Sequence, residues 1–216
     1  MNWRILRHAA WLDSRAHFVA GIPQGGALLD LGTSDGETLG HFGELRPDLR
    51  LRAVDLGNPP SPDRVRCEFH RADLEQDRLP WGDGSMDAIT CMHLVEHLRR
   101  YDHLMREIAR LLRPGGRLYL ETPHPRTAFY SSASHEAAGT FTLNFYDDPT
   151  HVRPVSTGEM ARWCREAGLV VMRTGISRNW LFAASWPWYW PRRSSRQKWT
   201  ARSHWLGWSA FLTATK

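Results

Sequence analysis

The chain has 216 residues and a mass of 24.9 kDa, which at roughly 100 to 200 residues per domain predicts a single domain over 1–216. With 42% hydrophobic and 24% charged residues, it has the usage of a globular protein able to bury roughly 70% of its unfolded surface, which excludes a disordered chain. The net charge of +5 hides an asymmetry: residues 167–216 carry eight Lys and Arg and no Asp or Glu, so they hold +8 and residues 1–166 hold −3.

Residues 1–20 place Arg4, Arg7 and Arg15 among Trp3, Ile5, Leu6, Trp11, Leu12 and Phe18. They lack the unbroken apolar core of a secretion signal and are expected to form a short amphipathic helix, with an organelle transit peptide as the other reading. Cys67, Cys91 and Cys164 are odd in number and far apart, which fits a reducing cytoplasm better than a disulfide framework or a thiolate zinc site. Cys91, inside an apolar run, reads as a buried hydrophobe. The longest apolar stretch, Trp180 to Trp190, is well short of the roughly 20 residues that span a bilayer.

Ala27–Leu31 is an apolar run that ends beside Gly32, the pattern of a buried strand breaking into a loop. Leu51–Leu56, Val65–Ala72, Met86–His93 and Arg117–Thr122 repeat it. Between the last two, Leu104, Met105, Ile108, Leu111 and Leu112 recur at helical spacing until Pro114-Gly115-Gly116 stops the helix. Ser156-Thr157-Gly158-Glu159 reads as a capping box opening a further helix with Met160, Trp163, Cys164 and Ala167 on one face. Strands alternating with helices predict parallel pairing in a three-layer α/β sheet. Ligands of such sheets bind outside the carboxyl ends of the strands. Asp30, Asp55, Asp73 and His93 stand at those ends, separated by 25, 18 and 20 residues, so all four are expected on one rim.

Several of these segments carry a family resemblance. Leu28-Leu29-Asp30-Leu31-Gly32-Thr33-Ser34-Asp35-Gly36 resembles the first motif of class I S-adenosylmethionine-dependent methyltransferases, Asp/Glu-x-Gly-x-Gly-x-Gly, with Ser34 in place of the middle glycine. Leu79-Pro80-Trp81-Gly82-Asp83-Gly84-Ser85-Met86-Asp87-Ala88-Ile89, His93-Leu94-Val95-Glu96-His97 and Leu111-Leu112-Arg113-Pro114-Gly115-Gly116-Arg117-Leu118 are similar to later motifs of that family. The resemblance covers residues 28–125 and implies a Rossmann-like, mostly parallel seven-stranded sheet whose last strand, Ser209–Thr215, is antiparallel. It implies S-adenosylmethionine held by Asp30, Gly32, Ser34, Gly36, Asp55 with Leu56, Asp73 with Leu74, and His93. Asp55 would take two ribose hydroxyls and Asp73 the adenine amino group. The implied activity is methyl transfer, expected at oxygen, to a small or lipid-linked acceptor in polysaccharide or natural-product biosynthesis. An NAD(P)-dependent oxidoreductase is a rival, although Gly32 and Gly36 do not complete Gly-x-Gly-x-x-Gly. A nucleic-acid module or RNA-directed methyltransferase is the other, motivated by a pI of 9.5, though nucleic acid is not the expected partner.

Methyl transfer from an activated sulfonium draws its rate from proximity and alignment, so a general base is optional. If one is used, His93, His97, His124 and His151 are the candidates. His93, Glu96 and His97 are expected at the head of one helix, with His97 either packing that helix or facing the site. His124 and His151 read as loop residues that either contact the acceptor or face solvent. His93-x-x-Glu96-His97 also resembles a metal-ligand spacing, and some quinone-pathway relatives carry ligands there; the reading adopted is that no metal is bound. Seven of the eleven tryptophans fall in residues 178–208, and Trp186-Pro187-Trp188-Tyr189-Trp190-Pro191 is bracketed by Arg178 and by Arg192, Arg193, Arg196 and Lys198. Prolines there argue against a continuous helix, so a lid over the acceptor is expected. The lid either touches an anionic bilayer or packs on the sheet edge as a roof.

Overall fold

The computed structural model describes residues 6–131, 143–193 and 195–216. Seven strands form one sheet: β1 (Ala27–Leu31), β2 (Arg50–Asp55), β3 (Glu68–Arg71), β4 (Met86–Met92), β5 (Leu112–Pro123), β6 (Val170–Ser177) and β7 (Ser209–Thr215). Their order is β3-β2-β1-β4-β5-β7-β6, with β7 antiparallel to both neighbours and the other pairings parallel.

Alternate residues of each central strand feed two cores, which is why these strands read as continuous apolar runs. Leu29, Leu31, Ile89, Cys91, Leu118 and Leu120 pack under α3 (Asp102–Leu111) and α4 (Thr157–Glu166). Leu28, Ala53, Ala88 and Tyr119 pack under α1 (Ser14–Ala20) and α2 (Glu37–Leu45). The capping box at α4 is present, with Ser156 Oγ accepting from Glu159 N at 3.2 Å and Glu159 Oε2 accepting from Ser156 N at 3.1 Å.

Three local expectations are corrected, and one strand is added. The amino-terminal segment is not one helix: a 3-10 turn at Ala10–Leu12 gives way to α1 at Asp13, which forms an antiparallel bridge with Asn179 and caps α1 by accepting from Arg15 N and Ala16 N. Trp3, Arg4 and Ile5 lie outside the described residues. His93, Glu96 and His97 do not open a helix, because His93 has a left-handed φ of 52° and Leu98 is extended. They form a 3-10 turn, Val95–His97, and α3 begins only at Asp102. β6 was not anticipated; it is an edge strand whose register shifts between Val171 and Arg173, which breaks the alternation that marks a strand. Residues 178–208 fold as α5 (Trp180–Tyr189), which contains Pro187, and α6 (Arg196–Leu206). Among the described residues no helix is long and apolar enough to cross a membrane.

Candidate active site

The loop after β1 is set by backbone geometry. Gly32, Ser34 and Gly36 have φ of 75°, 50° and 77°, so Ser34 holds the left-handed conformation that suits glycine. Gly32 N and Thr33 N both donate to Val54 O, at 2.9 and 3.2 Å, and Ser34 N donates to Asp55 Oδ2 at 2.8 Å. A Cβ on Gly32 would lie 3.0 Å from Leu94 Cδ1, and one on Gly36 would lie 2.6 Å from Pro60 Cβ. Gly36 is therefore glycine to let the 57–65 loop close over α2.

Asp55 Oδ1 accepts from Gly57 N at 2.8 Å. Each of its oxygens thus serves one amide, and since a carboxylate has about four lone-pair sites, two remain for a diol. Asp73 closes its own turn, accepting from Glu75 N at 2.9 Å and from Gln76 Nε2 at 2.9 Å. Leu56 is 61% exposed beside Asp55, whereas Leu74 belongs to the core. Asp30 is also buried, with Thr90 Oγ1 donating to it at 2.7 Å. Burial, against the Thr90 hydrogen bond, pushes its carboxyl up to about 6.

At the ends of β4 and β5 the site is made of charged side chains. His93 lies between two fully buried carboxylates: Nδ1 is 3.2 Å from Glu96 Oε1 and Nε2 is 3.2 Å from Glu121 Oε1. Burial opposes the imidazolium, but Glu121 and Glu96 outweigh it and raise His93 to about 9. Arg15 reaches over from α1 and pairs with Glu121 through Nη2 and, at 3.0 Å, through Nε; Tyr119 OH donates to Glu121 at 2.8 Å. Although burial works against its charge, Arg15 and His93 hold Glu121 well below the usual carboxylate range. Thr122 Oγ1 donates to the far oxygen of Glu96 at 3.1 Å.

A cavity of about 260 Å³ opens on His93 and Ser209, walled by Trp199, Trp208 and His204. It shares Arg15, Thr200 and His204 with a second cavity of about 480 Å³ that reaches Glu37 at the start of α2. Arg196 closes the far side by pairing with Glu37 at 2.6 Å. Trp199 and Trp208 thus roof the cavity, while Trp180, Trp188, Trp190 and Trp205 are half or more exposed.

The remaining predicted histidines do not line these cavities. His124 Nδ1 accepts from Arg126 N at 3.1 Å and caps the turn Pro125–Phe129. His151 stacks on Phe145, its Nδ1 2.6 Å from the Phe145 carbonyl, and its ring is 4.8 Å from that of His97. His97 Nδ1 is 2.9 Å from Thr150 Oγ1. Among the described residues, Glu96, His97 and His151 have potential ligand atoms within 4.8 Å of one another, and each Glu96 oxygen has one partner, His93 or Thr122. Sequence reasoning missed Arg15, Glu121 and His204. Glu121 lies near the end of the expected strand Arg117–Thr122 and was within reach; Arg15 had no local signal. His204 Nδ1 accepts from Asn179 N at 3.2 Å, and burial, aided by Arg15, lowers it to about 4.

A sheet of order 3-2-1-4-5-7-6 with antiparallel β7, and a left-handed loop after β1, is the architecture of class I S-adenosylmethionine-dependent methyltransferases and not the 3-2-1-4-5-6 order of the dinucleotide-binding dehydrogenases. The chain belongs to the methyltransferase domain family, whose model matches residues 3–174, and S-adenosylmethionine is the cofactor of that family. It is similar to a ubiquinone biosynthesis O-methyltransferase of Xanthomonas axonopodis pv. citri (strain 306), at 29% identity over 162 residues that take in 68% of this chain. The match spans 64% of that relative's length. Among solved structures, an S-adenosylmethionine-dependent methyltransferase from Mesorhizobium loti superposes with a TM-score of 0.63 at 17% identity, covering 98% of this chain and 100% of that one. A Haloferax volcanii methyltransferase solved with the Trm112 activator gives 0.62 at 21% identity, covering 99% and 92%.

Proposed function

We propose that the protein moves the methyl group of S-adenosylmethionine to a hydroxyl oxygen of a small or lipid-linked acceptor seated in the cavity between His93, Ser209 and α6. The observation that carries this reading is that cavity: it lies at the ends of β4, β6 and β7, shares Arg15, Thr200 and His204 with the cavity that reaches Glu37 and Thr38 just past the β1 loop, and its indole and imidazole walls suit a planar or apolar acceptor. The O-methyltransferase name of the Xanthomonas relative supports oxygen as the acceptor atom.

When bound, S-adenosylmethionine supplies a methyl group on a sulfonium that departs as a neutral thioether. Gly32, Ser34 and Gly36 form its cradle in this reading, Asp55 accepts the ribose hydroxyls through its two spare lone-pair sites, and Asp73 meets the adenine. Leu56 offers an apolar surface beside them. Asp30 and Leu74, both buried, support the strand ends from behind. His93 is a cation committed to Glu96 and Glu121, and His204 is neutral and weakly basic, so neither is poised as a base at neutral pH. The cavity acts by alignment: the proton released from the acceptor hydroxyl as its oxygen takes the methyl group passes to bulk water, and Arg15 and His93, held by Glu121 and Glu96, fix the wall against which that hydroxyl sits. His97, His124 and His151 shape the surrounding turns.

The exposed face of α5 is apolar from end to end, Trp180, Leu181, Ala184, Pro187 and Trp188, and Arg178, Arg192 and Arg193 flank it. This composition supports contact with an anionic bilayer that would deliver a lipid-linked acceptor. Calorimetry with S-adenosylhomocysteine and NAD, followed by product mass spectrometry on phenolic, polyprenyl-linked and sugar acceptors, tests the reading. Binding of the first ligand alone and methylation of a hydroxyl acceptor are expected; methylation of bulk RNA and of none of these acceptors would overturn it. Co-sedimentation with anionic liposomes, weakened in Trp188→Ala, checks the membrane contact, and a protein that stays in the supernatant refutes it.

A further inference from the structure

A third cavity, of about 270 Å³, lies on the α1 face of the sheet across β5, β7 and β6, outside the crevice described above. Arg117 of β5, Arg173 of β6 and Arg178 just beyond β6 all line it, and among the described residues no carboxylate does. The three guanidiniums are met by ring faces and carbonyls instead of counter-ions. Arg117 lies 4.9 Å over Phe18 and makes one long hydrogen bond, 3.5 Å, to the Phe18 carbonyl. Arg173 lies 5.8 Å over Phe211. Arg178 lies 5.5 Å over Trp180 and gives Nη1 to the carbonyls of His204 and Trp205. Burial lowers the pKa of both Arg117 and Arg178; the Arg126 charge lowers Arg178 further, and the Tyr130 phenol offsets this only in part.

Gathering three guanidiniums in one cavity, two of them partly dehydrated, opposes folding unless an anion joins them, because charge taken from water must be paired to be tolerated. The cavity is walled off from the acceptor site. Ser14 N donates to the Arg178 carbonyl and Arg178 N to Ser14 Oγ, each at 3.0 Å. That seam leaves Arg15 and Ser177 on the acceptor side and Ser14 and Arg178 on the other. Guanidinium forks match the oxygens of a phosphate group in bidentate fashion, better than they match a monovalent halide. The volume exceeds that of one oxyanion, and the rim is Trp11, 70% exposed, and Trp180, 54% exposed. Such a rim suits a glycerol- or sugar-sized body attached to the phosphate.

We infer that Arg117, Arg173 and Arg178 form a second ligand site, separate from the methyl-transfer crevice, for a phosphate-ester group. This stands whatever the methyl acceptor is. The chemistry is shared by a soluble phosphate ester and by the headgroup of an anionic phospholipid, and the two sources are separable. Glycerol 3-phosphate and pyrophosphate are titrated calorimetrically at constant ionic strength, and vesicles of phosphatidylcholine with and without phosphatidylglycerol are used for co-sedimentation. Wild type, Arg173→Gln, and Arg162→Gln combined with Arg165→Gln, two exposed arginines of α4 that line none of these cavities, are compared. Saturable binding weakened about tenfold by Arg173→Gln, as expected for the loss of one charge-assisted fork, with the Arg162/Arg165 variant and S-adenosylhomocysteine affinity unchanged, supports the site. Dependence on Arg173 in solution marks a soluble phosphate ester as sufficient; dependence on Arg173 with vesicles alone marks the lipid headgroup. Binding of neither probe, binding indifferent to Arg173→Gln, or equal weakening by the Arg162/Arg165 variant overturns the proposal. Arg173 is exposed on an edge strand, so its replacement tests the site without testing the fold.

Discussion

At the ends of β1 and β2 the crevice is assembled from backbone: three left-handed residues, two amides on Val54 O, and Asp55 tying Ser34 N to Gly57 N. At the ends of β4 and β5 it is assembled from Arg15, His93, Glu96 and Glu121, four charged side chains with two fully buried carboxylates at their centre. The first arrangement is local, since each contact joins a strand end to the adjacent loop. The second is a long-range charge network, with Arg15 and Glu121 lying 106 residues apart in sequence. Local backbone geometry tolerates the loss of one side chain. A buried network does not, because removing one partner leaves the others uncompensated.

The sharpest way to break the comparison is Glu121→Gln, which strands Arg15 and His93 without their shared anion. A loss of about 3 to 5 kcal/mol in urea unfolding is expected; a loss under about 1 kcal/mol would show that the network behaves like a surface ion pair. Asp55→Ala tests the other half. It should weaken S-adenosylhomocysteine binding by about 3 kcal/mol, over a hundredfold, if two charge-assisted bonds to the ribose are lost. Circular dichroism should change little, since the loop keeps its bonds to Val54 O. Asp73→Ala should weaken the same titration less, because two of its acceptor sites already serve its own turn; a larger effect at Asp73 would reverse the order of the two aspartates.

How much of each half the sequence disclosed follows from the same distinction. The β1 loop, Asp55 and Asp73 were legible because strand and loop recur at intervals near 20 residues and glycine marks the left-handed turn. Arg15, Glu121 and His204 are single residues joined only by the folded sheet, with no spacing to mark them. His93 was found, but not its left-handed φ, and so the turn after it was mistaken for a helix start. The tryptophans of residues 178–208 were legible as a group and not individually, since composition cannot separate Trp199 and Trp208, which line the cavity, from Trp188 and Trp190, which face outward.

The network also predicts a pH signature. His93 is raised from 6.5 to about 9 in the folded chain, so its stabilising contribution is complete below pH 6.5 and is lost as pH rises through about 9. At about 1.4 kcal/mol per unit, and with the His93 side chain 29% exposed, a decline of about 2 kcal/mol is expected. Thermal unfolding from pH 6.5 to 9.5 should show it, and His93→Gln should flatten the slope. An equal slope in the variant would assign the decline to other groups.

The smallest effect expected is a gain, at Ser34. An L-residue in the left-handed region costs roughly 1 to 2 kcal/mol, which glycine avoids, while glycine adds roughly 0.5 to 1 kcal/mol of unfolded-state entropy. Ser34→Gly should therefore stabilise the chain by no more than about 1 kcal/mol. Ser34 is exposed and holds Asp55 through its backbone N–H, which glycine keeps, so S-adenosylhomocysteine affinity should be unchanged or slightly improved. Ser34→Ala separates the two causes, since it removes the hydroxyl and keeps the strain. If the alanine variant matches wild type and the glycine variant has the higher urea midpoint, the loop is governed by φ alone. If both lose affinity equally, the serine hydroxyl contacts the cofactor, and the backbone account of this half of the crevice has to admit a side chain.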